Sequence, residues 1–413
     1  MGLILKNIST LLTLAPAAAK GARRITSADL GILQNQTIVI DKGQIQWVGD
    51  FKKLPKEIAK RKFKIQDMKG MTVMPGLVEC HTHLVFAGDR AAEFEMRNQG
   101  ASYQEIAAAG GGILSTMKKT RAASLKELTD IGQKRANKFV LQGVTTLEVK
   151  SGYALDLKNE LKVLQAGLNI KGPHIVSTFL GAHALPPEFK TYESYLDYVA
   201  AEVLPVVKKK KLAERVDIFI EKGFFPADVS EKYLAKAKAL GFDVMAHADQ
   251  LSLSGGSDVA IKVGALSGDH LLQVTEKEIK GLSESEVTCV LLPTADLYMR
   301  CKYPPARQMI DAGARVALAT DFNPGTSPTQ DVSLVGLLAR LEMKMSLPEV
   351  IAAYTIGAAF ALRRQNSVGS IEVGKSADLL CTKKDWQTLF YNAGEAFADQ
   401  VFIRGKLVFT NKQ

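Results

Sequence analysis

The chain has 413 residues, 46% of them hydrophobic and 23% charged, with a formal net charge of +10. That balance excludes a disordered tract and, with no apolar run near the ~20 residues that a bilayer span needs, a helical membrane protein. The positive excess suits a small anionic ligand; zinc-finger or RNA-recognition signatures and basic–aromatic interleaving, which would point to nucleic acid, are missing.

In chain order, "GLILKNISTLLTL" and "TIVIDKGQIQWVG" alternate apolar and polar residues around turn signals, with Gly43 where a hairpin turn needs it. "LLTLAPAAA" (11–19) has the small residues of a leader cleavage site, but only Lys6 precedes it, so this start reads as folded β structure. Eight short apolar runs follow: "TVMPGLVEC" (72–80), "VTTLEV" (144–149), "HIVSTFLGA" (174–182), "VDIFIE" (216–221), "FDVMAHA" (242–248), "GALSGDH" (264–270), "VTCVLLP" (287–293) and "RVALATD" (315–321). Helical patterns such as "SLKELTDIGQKRANKFVLQG" and "SEKYLAKAKALG" fill most gaps, and "KKKK" (208–211) reads as a solvated helix face. Strands alternating with helices predict parallel β/α units. Eight of them fit a (β/α)8 TIM barrel, although an open doubly wound sheet has the same periodicity. Residues 370–413 return to short alternating strands, with Gly405 at a turn. The expected organisation is an α/β barrel over 71–364 and a small β-sandwich domain built from both chain ends, 1–70 plus 365–413. Cys80, Cys289, Cys301 and Cys381 form no paired spacing, which predicts free thiols and a reducing, cytoplasmic setting.

The histidines fall on this pattern. His81 and His83 end the first run, His183 the third, His247 the fifth and His270 the sixth, while Asp321 ends the eighth. In a parallel barrel all strand C-termini meet at one face, where the active site forms. Residues i and i+2 on a strand share a side, so His81 and His83 can grip one ion. Three imidazoles and a carboxylate suit zinc, iron or manganese, with room left for a water that such an ion acidifies. A lone His-x-His pair is weak, because buried structural histidines are common; five of six histidines at strand ends, with Asp321, favour the metal. His174, at a strand start, reads as a loop or helix-end residue.

"MPGLVECHTHLVFAGDR" resembles the entry motif of the amidohydrolase superfamily, and "GSIEVGKSADLL" (369–380) its closing strand. "AGGGI", "TTLEVKSGYALD" (145–156), "TFLGAHALPPEF" (178–189), "HADQLS" (247–252) and "ATDFNPGTSP" (319–328) are similar to the imidazolonepropionase family over nearly the whole chain. The resemblance implies a mononuclear metal, zinc or iron, in a (β/α)8 barrel, and hydrolysis of the cyclic amide of 4-imidazolone-5-propanoate to N-formimidoyl-L-glutamate. It implies His81, His83, His247 and Asp321 as ligands. Arg90 would pair with the substrate carboxylate through its planar fork. Tyr103, Tyr153, His183, Asn323, Gly325 and Thr326 would contact substrate, and a homodimer is common among relatives.

Each has a plainer reading. Arg90 can bridge to Glu93 or Glu95, Tyr103 and Tyr153 can simply pack, and Asn-Pro-Gly is a turn signal. Some family members carry a glutamate base after "HAD"; here Gln250 stands, and an amide takes no catalytic proton. Asp321 is then expected to collect the proton, with His270 as second candidate, Gln250 positioning the ring, and His270 or His183 facing the developing oxyanion. Two rivals remain: a dinuclear amidohydrolase using Lys150 or Lys222 as a carbamylated bridge, and a non-enzymatic binding protein.

Overall fold

The computed structural model describes residues 2–101, 105, 111–396 and 398–411; Tyr103 lies outside the described residues. The eight runs become eight parallel strand positions in consecutive order: Leu77–Glu79, Val144–Lys150, His174–Ala182, Arg215–Ile220, Asp243–Val244 continuing as Ala246–Ala248, Ser267–His270, Thr288–Leu291 and Arg315–Leu318. Most of them are buried along their full length, because the barrel interior covers one face and the helices the other. The ring closes beyond the strand ends, where Thr82 bridges Phe322 in parallel and the His83 N–H donates to the Phe322 carbonyl at 2.9 Å.

The helices begin where the sequence caps them. Ser124 and Glu127 form a capping box at Leu125–Val140, whose Leu128, Gly132, Ala136 and Phe139 turn inward. Thr275 and Glu278 do the same at Glu276–Glu284. Lys208–Lys211 are exposed at a helix end. Among the described residues no helix is long and apolar enough to cross a membrane, and all four cysteines are free.

Both chain ends build a second sheet of eight strands. Its order runs Lys406–Thr410, Gln400–Ile403, Leu379–Thr382, Thr72–Pro75, Gly2–Leu12, Ile32–Asp41 and Gln44–Gly49, with Phe63–Asp67 also lying along Gly2–Leu12. The expected sandwich is one continuous mixed sheet that curls on itself. Gln44 bridges Ser376, the Ala377 N–H donates to Gly43, and the Gly405 N–H donates to Ala377. Its core joins Leu5, Ile8, Ile38, Ile40, Leu379 and Phe402.

The run 72–80, read as one barrel strand, is split between the sheets. Thr72–Pro75 pairs with Leu379–Thr382, and Leu77–Glu79 pairs with the second barrel strand. Gly76 makes the crossing: its N–H donates to Asp378, the next N–H to Gly143. A Cβ at 76 would meet the Thr145 side chain at 2.3 Å, so only glycine passes. His174 is also corrected: it opens the third barrel strand, with Nε2 2.8 Å from Asp378 Oδ2 and Nδ1 2.7 Å from Arg404 Nη2, and ties the base of the barrel to the second sheet. Gly76→Ala is expected to cost about 1–3 kcal/mol of stability in denaturant titration, as overpacking does; an unchanged midpoint would contradict this close approach.

Candidate metal centre

The strand ends deliver the predicted residues to one place. His247 lies within Ala246–Ala248, His270 ends its strand, His183 follows the third strand, and His81 and His83 follow the first. Because Thr82 is held outward by its contacts with Glu148 and Phe322, its two neighbours face the barrel axis. Donor atoms of His81, His83 and His247 lie within 4.8 Å of one another, as do those of His81, His270 and Asp321. Asp321 Oδ1 is 3.3 Å from His81 Nε2 and 3.4 Å from His83 Nε2. Four donors about 2.1 Å from one tetrahedral ion stand about 3.4 Å apart, which is the spacing of the two Asp321 contacts.

The hydrogen-bond census supports the same fit. Among the described residues, His81 Nε2, His247 Nε2 and Asp321 Oδ1 are buried and make no hydrogen bond. The opposite ring nitrogens face carboxylates: His81 Nδ1 is in hydrogen-bond contact with Asp269 Oδ2 at 2.6 Å, and His247 Nδ1 lies 3.0 Å from Asp217 Oδ2. Such contacts fix the tautomer and turn the Nε2 lone pair towards a metal. Burial, then the charges of Lys150 and His247, hold His81 well below the usual histidine range; burial, then His183 and His247, do the same for His83. For His247 burial works the other way from Asp217, and the Asp217 carboxylate prevails and raises it. Burial also opposes charge on Asp321, but His81 beside it prevails and lowers its carboxyl. Asp321 and His270 both adopt left-handed backbone, φ 50° and 79°, a cost borne where the loops turn their side chains into the site.

Around this cluster the other expected residues take up places. His183 stacks on His83 at 5.1 Å and contacts the Gly152 carbonyl through Nδ1 at 3.1 Å. A carbonyl only accepts, so Nδ1 carries the proton and neutral His183 presents an Nε2 lone pair. Tyr153 is buried between His83 and His183, at ring distances of 5.6 and 5.2 Å. Its loop is pinned by the Glu160 carboxylate, which accepts from the N–H groups of Gly152, Ala154 and Leu155. Arg90 does bridge to Glu93, at 2.7 Å, yet its guanidinium also lies against Gly325, where an added Cβ would come within 2.2 Å of Nη1. Asn323 accepts from the Gly325 and Thr326 N–H groups and donates to the Asp321 carbonyl, so its amide closes the loop that carries Asp321. Gln250 is buried, with Nε2 3.6 Å from Met299 Sδ.

Lys222 is exposed, and Lys150 is buried in an ion pair with Asp217 at 2.8 Å. The sequence reading passed over Asp217 and Asp269; an acid inside a strand buried along its whole length was the available signal. Also missed were Asp296, whose carboxyl oxygens are both buried and make no hydrogen bond among the described residues, and Asp249, which caps Gly256–Val263 by accepting from Gly256 and Ser257.

Burial, then the neighbouring His247, hold His183 at about 4, and burial leads the same shift to about 4 for His270, against an ordinary value of 6.5. The unfolded chain therefore binds protons that the fold refuses as pH falls from 6.5 to 4. Stability of the metal-free protein is expected to be full above that window and to fall through it, by up to about 1.4 kcal/mol per pH unit for each histidine, with a shallower slope in His183→Asn. Urea titrations with chelator across the window check this; a flat profile would contradict it.

The amidohydrolase family model matches residues 72–408. The chain is 70% identical over 410 residues to an imidazolonepropionase of Bdellovibrio bacteriovorus, covering 99% of this chain and 97% of that one. It is 43% identical over 413 residues to an imidazolonepropionase of Geobacillus kaustophilus, covering 98% and 97%. Among solved structures, an adenosine deaminase from Xanthomonas campestris with bound zinc superposes with a TM-score of 0.69 at 19% identity, covering 99% of this chain and 93% of that one, a likeness of fold alone. Full-length identity at this level, on a barrel whose strand ends gather three imidazoles and a carboxylate, places the chain in the imidazolonepropionase family of metal-dependent amidohydrolases.

Proposed function

We propose that the chain hydrolyses the ring amide of 4-imidazolone-5-propanoate, giving N-formimidoyl-L-glutamate, with one zinc or iron ion held by His81, His83, His247 and Asp321. The observation that carries this is the convergence of those four buried donors beside the Arg90–Gly325 contact, in a chain 70% identical to an imidazolonepropionase. In this reading the barrel, residues 71–364, carries the chemistry, and the composite sheet of 1–70 and 365–413 supports it from the strand N-termini.

The ion, when bound, acidifies a water and polarises the ring carbonyl. The remaining work belongs to side chains. Arg90 takes the propionate, for which its planar fork is matched. Asp321 collects the water proton and passes it to the ring nitrogen as the carbon–nitrogen bond opens; the carbonyl carbon gains the water oxygen, so the atoms balance. His270, neutral at working pH, donates to the carbonyl oxygen as charge grows there. His183 is assigned a different part, because its free Nε2 accepts: it takes a ring N–H of the substrate. Tyr153 and Gln250 flank the ring, and Asn323 keeps the loop of Gly325 and Thr326 in shape.

Purified protein is expected to bleach the ultraviolet absorbance of the substrate, to stop with chelator and to resume when metal is restored; no bleaching at one ion per chain would contradict the function. Asp321→Asn that retains metal should lower kcat by at least about 100-fold, as loss of a proton carrier does, and near-normal turnover would contradict the role given to Asp321. Arg90→Ala should lower kcat/KM about 10- to 100-fold through KM, as loss of a charged hydrogen bond does, and an unchanged KM would contradict its pairing with the propionate.

A further inference from the structure

Lys150 ends the second barrel strand with its side chain wholly inside, an unusual place for a long charged group. Its ammonium lies between two carboxylates. It is 2.8 Å from Asp217 Oδ2, the oxygen 3.0 Å from His247 Nδ1, and 3.7 Å from Asp269 Oδ2, the oxygen 2.6 Å from His81 Nδ1. One chain of contacts thus runs imidazole, carboxylate, ammonium, carboxylate, imidazole. It joins side chains from the first, second, fourth, fifth and sixth strand positions, and the two imidazoles at its ends stand 4.5 Å apart, centre to centre. Glu148 completes the surroundings of Lys150 at 3.0 Å and accepts from Thr178; among the described residues it forms no ion pair or hydrogen bond with an imidazole.

We infer that Lys150 is a positioning residue for the metal: its ammonium draws together the two carboxylates that hold the rings of His81 and His247, and so sets the gap in which the ion is gripped. Without that charge Asp217 and Asp269 face one another across a dry interior, where like charges repel strongly. They would swing apart or turn, and each would carry its imidazole with it. The short lever explains why a lysine sits where an apolar residue would pack more cheaply: the strands fix the Cα positions, and Lys150 fixes the ring orientations. A purely structural lysine would move stability alone; this one moves metal affinity.

The inference rests on the metal reading above, and its test separates the two. Zinc affinity is measured by competition with a chromophoric chelator for the parent protein, Lys150→Met, Asp217→Asn, the double variant and Glu148→Gln. Failure of the parent to hold one ion per chain would sink the metal reading itself. With the parent loaded, Lys150→Met and Asp217→Asn should each weaken retention about 10- to 100-fold, as loss of an outer partner does. The double variant should be no more than about threefold weaker than the worse single, because the two act as one unit. Glu148→Gln should stay within about threefold of the parent, since it holds no imidazole. The visible spectrum of the cobalt-loaded protein should shift in Lys150→Met and not in Glu148→Gln. Unchanged affinity in Lys150→Met, additive losses in the double variant, or an equal loss in Glu148→Gln would overturn the inference. Lys150→Gln, of similar reach and still polar, repeats the test if methionine is not accommodated; if neither variant folds with or without zinc, Lys150 belongs to the fold rather than to the metal, and the inference is equally overturned.

Discussion

Three imidazole nitrogens and a carboxylate oxygen are pressed together in the dry upper end of the barrel, and among the described residues His81 Nε2, His247 Nε2 and Asp321 Oδ1 make no hydrogen bond. Each such atom costs about 1–3 kcal/mol if nothing meets it, more when charged. A cation held there would remove that cost for all of them at once, and the arrangement behind them suits one. Asp269 and Asp217 occupy the far sides of two rings, the left-handed turns at His270 and Asp321 point side chains inward, and the closing contact between Thr82 and Phe322 holds the first and eighth strands in register.

The barrel supplies the convergence, and buried side chains hold the loops around it. Glu160 fixes the Tyr153 loop from below, Asn323 fixes the loop after the last strand, and Arg135 fixes the loop after the first by donating to the carbonyls of Leu84 and Phe86 at 2.8 Å while lying 3.6 Å over the Phe86 ring. These are charged or amide groups used as scaffolding. Their side chains meet loop backbone groups, which stiffens the loops. The sheet of the two chain ends grips the other end of the barrel through Gly76 and His174, leaving the catalytic face clear of it.

The fold was legible because its signals are local and repeated. Eight apolar runs separated by amphipathic helices can be counted in a sequence, and each run did become a strand position. The clustering of candidate donors was legible because histidine and aspartate at the ends of such runs share a period with the topology. What escaped needs two segments at once. Gly76 could not be seen to divide its run, since the dividing force is the Thr145 side chain, 69 positions away. The curl of the end sheet depends on pairing between residues 43–44 and 376–377. Asp217 and Asp269 looked like ordinary acids, because their meaning comes from the rings they touch. Gln250 and the tautomer of His183 show the same limit from the catalytic side: motif likeness names the residue, but only the Gly152 carbonyl says which ring nitrogen of His183 bears the proton.

The most direct test is diffraction from crystals of the metal-loaded protein, recorded at the absorption edges of zinc and iron. One anomalous peak per chain is expected, enclosed by His81 Nε2, His83 Nε2, His247 Nε2 and Asp321 Oδ1. Two peaks, or a single peak ligated by other side chains, would contradict it.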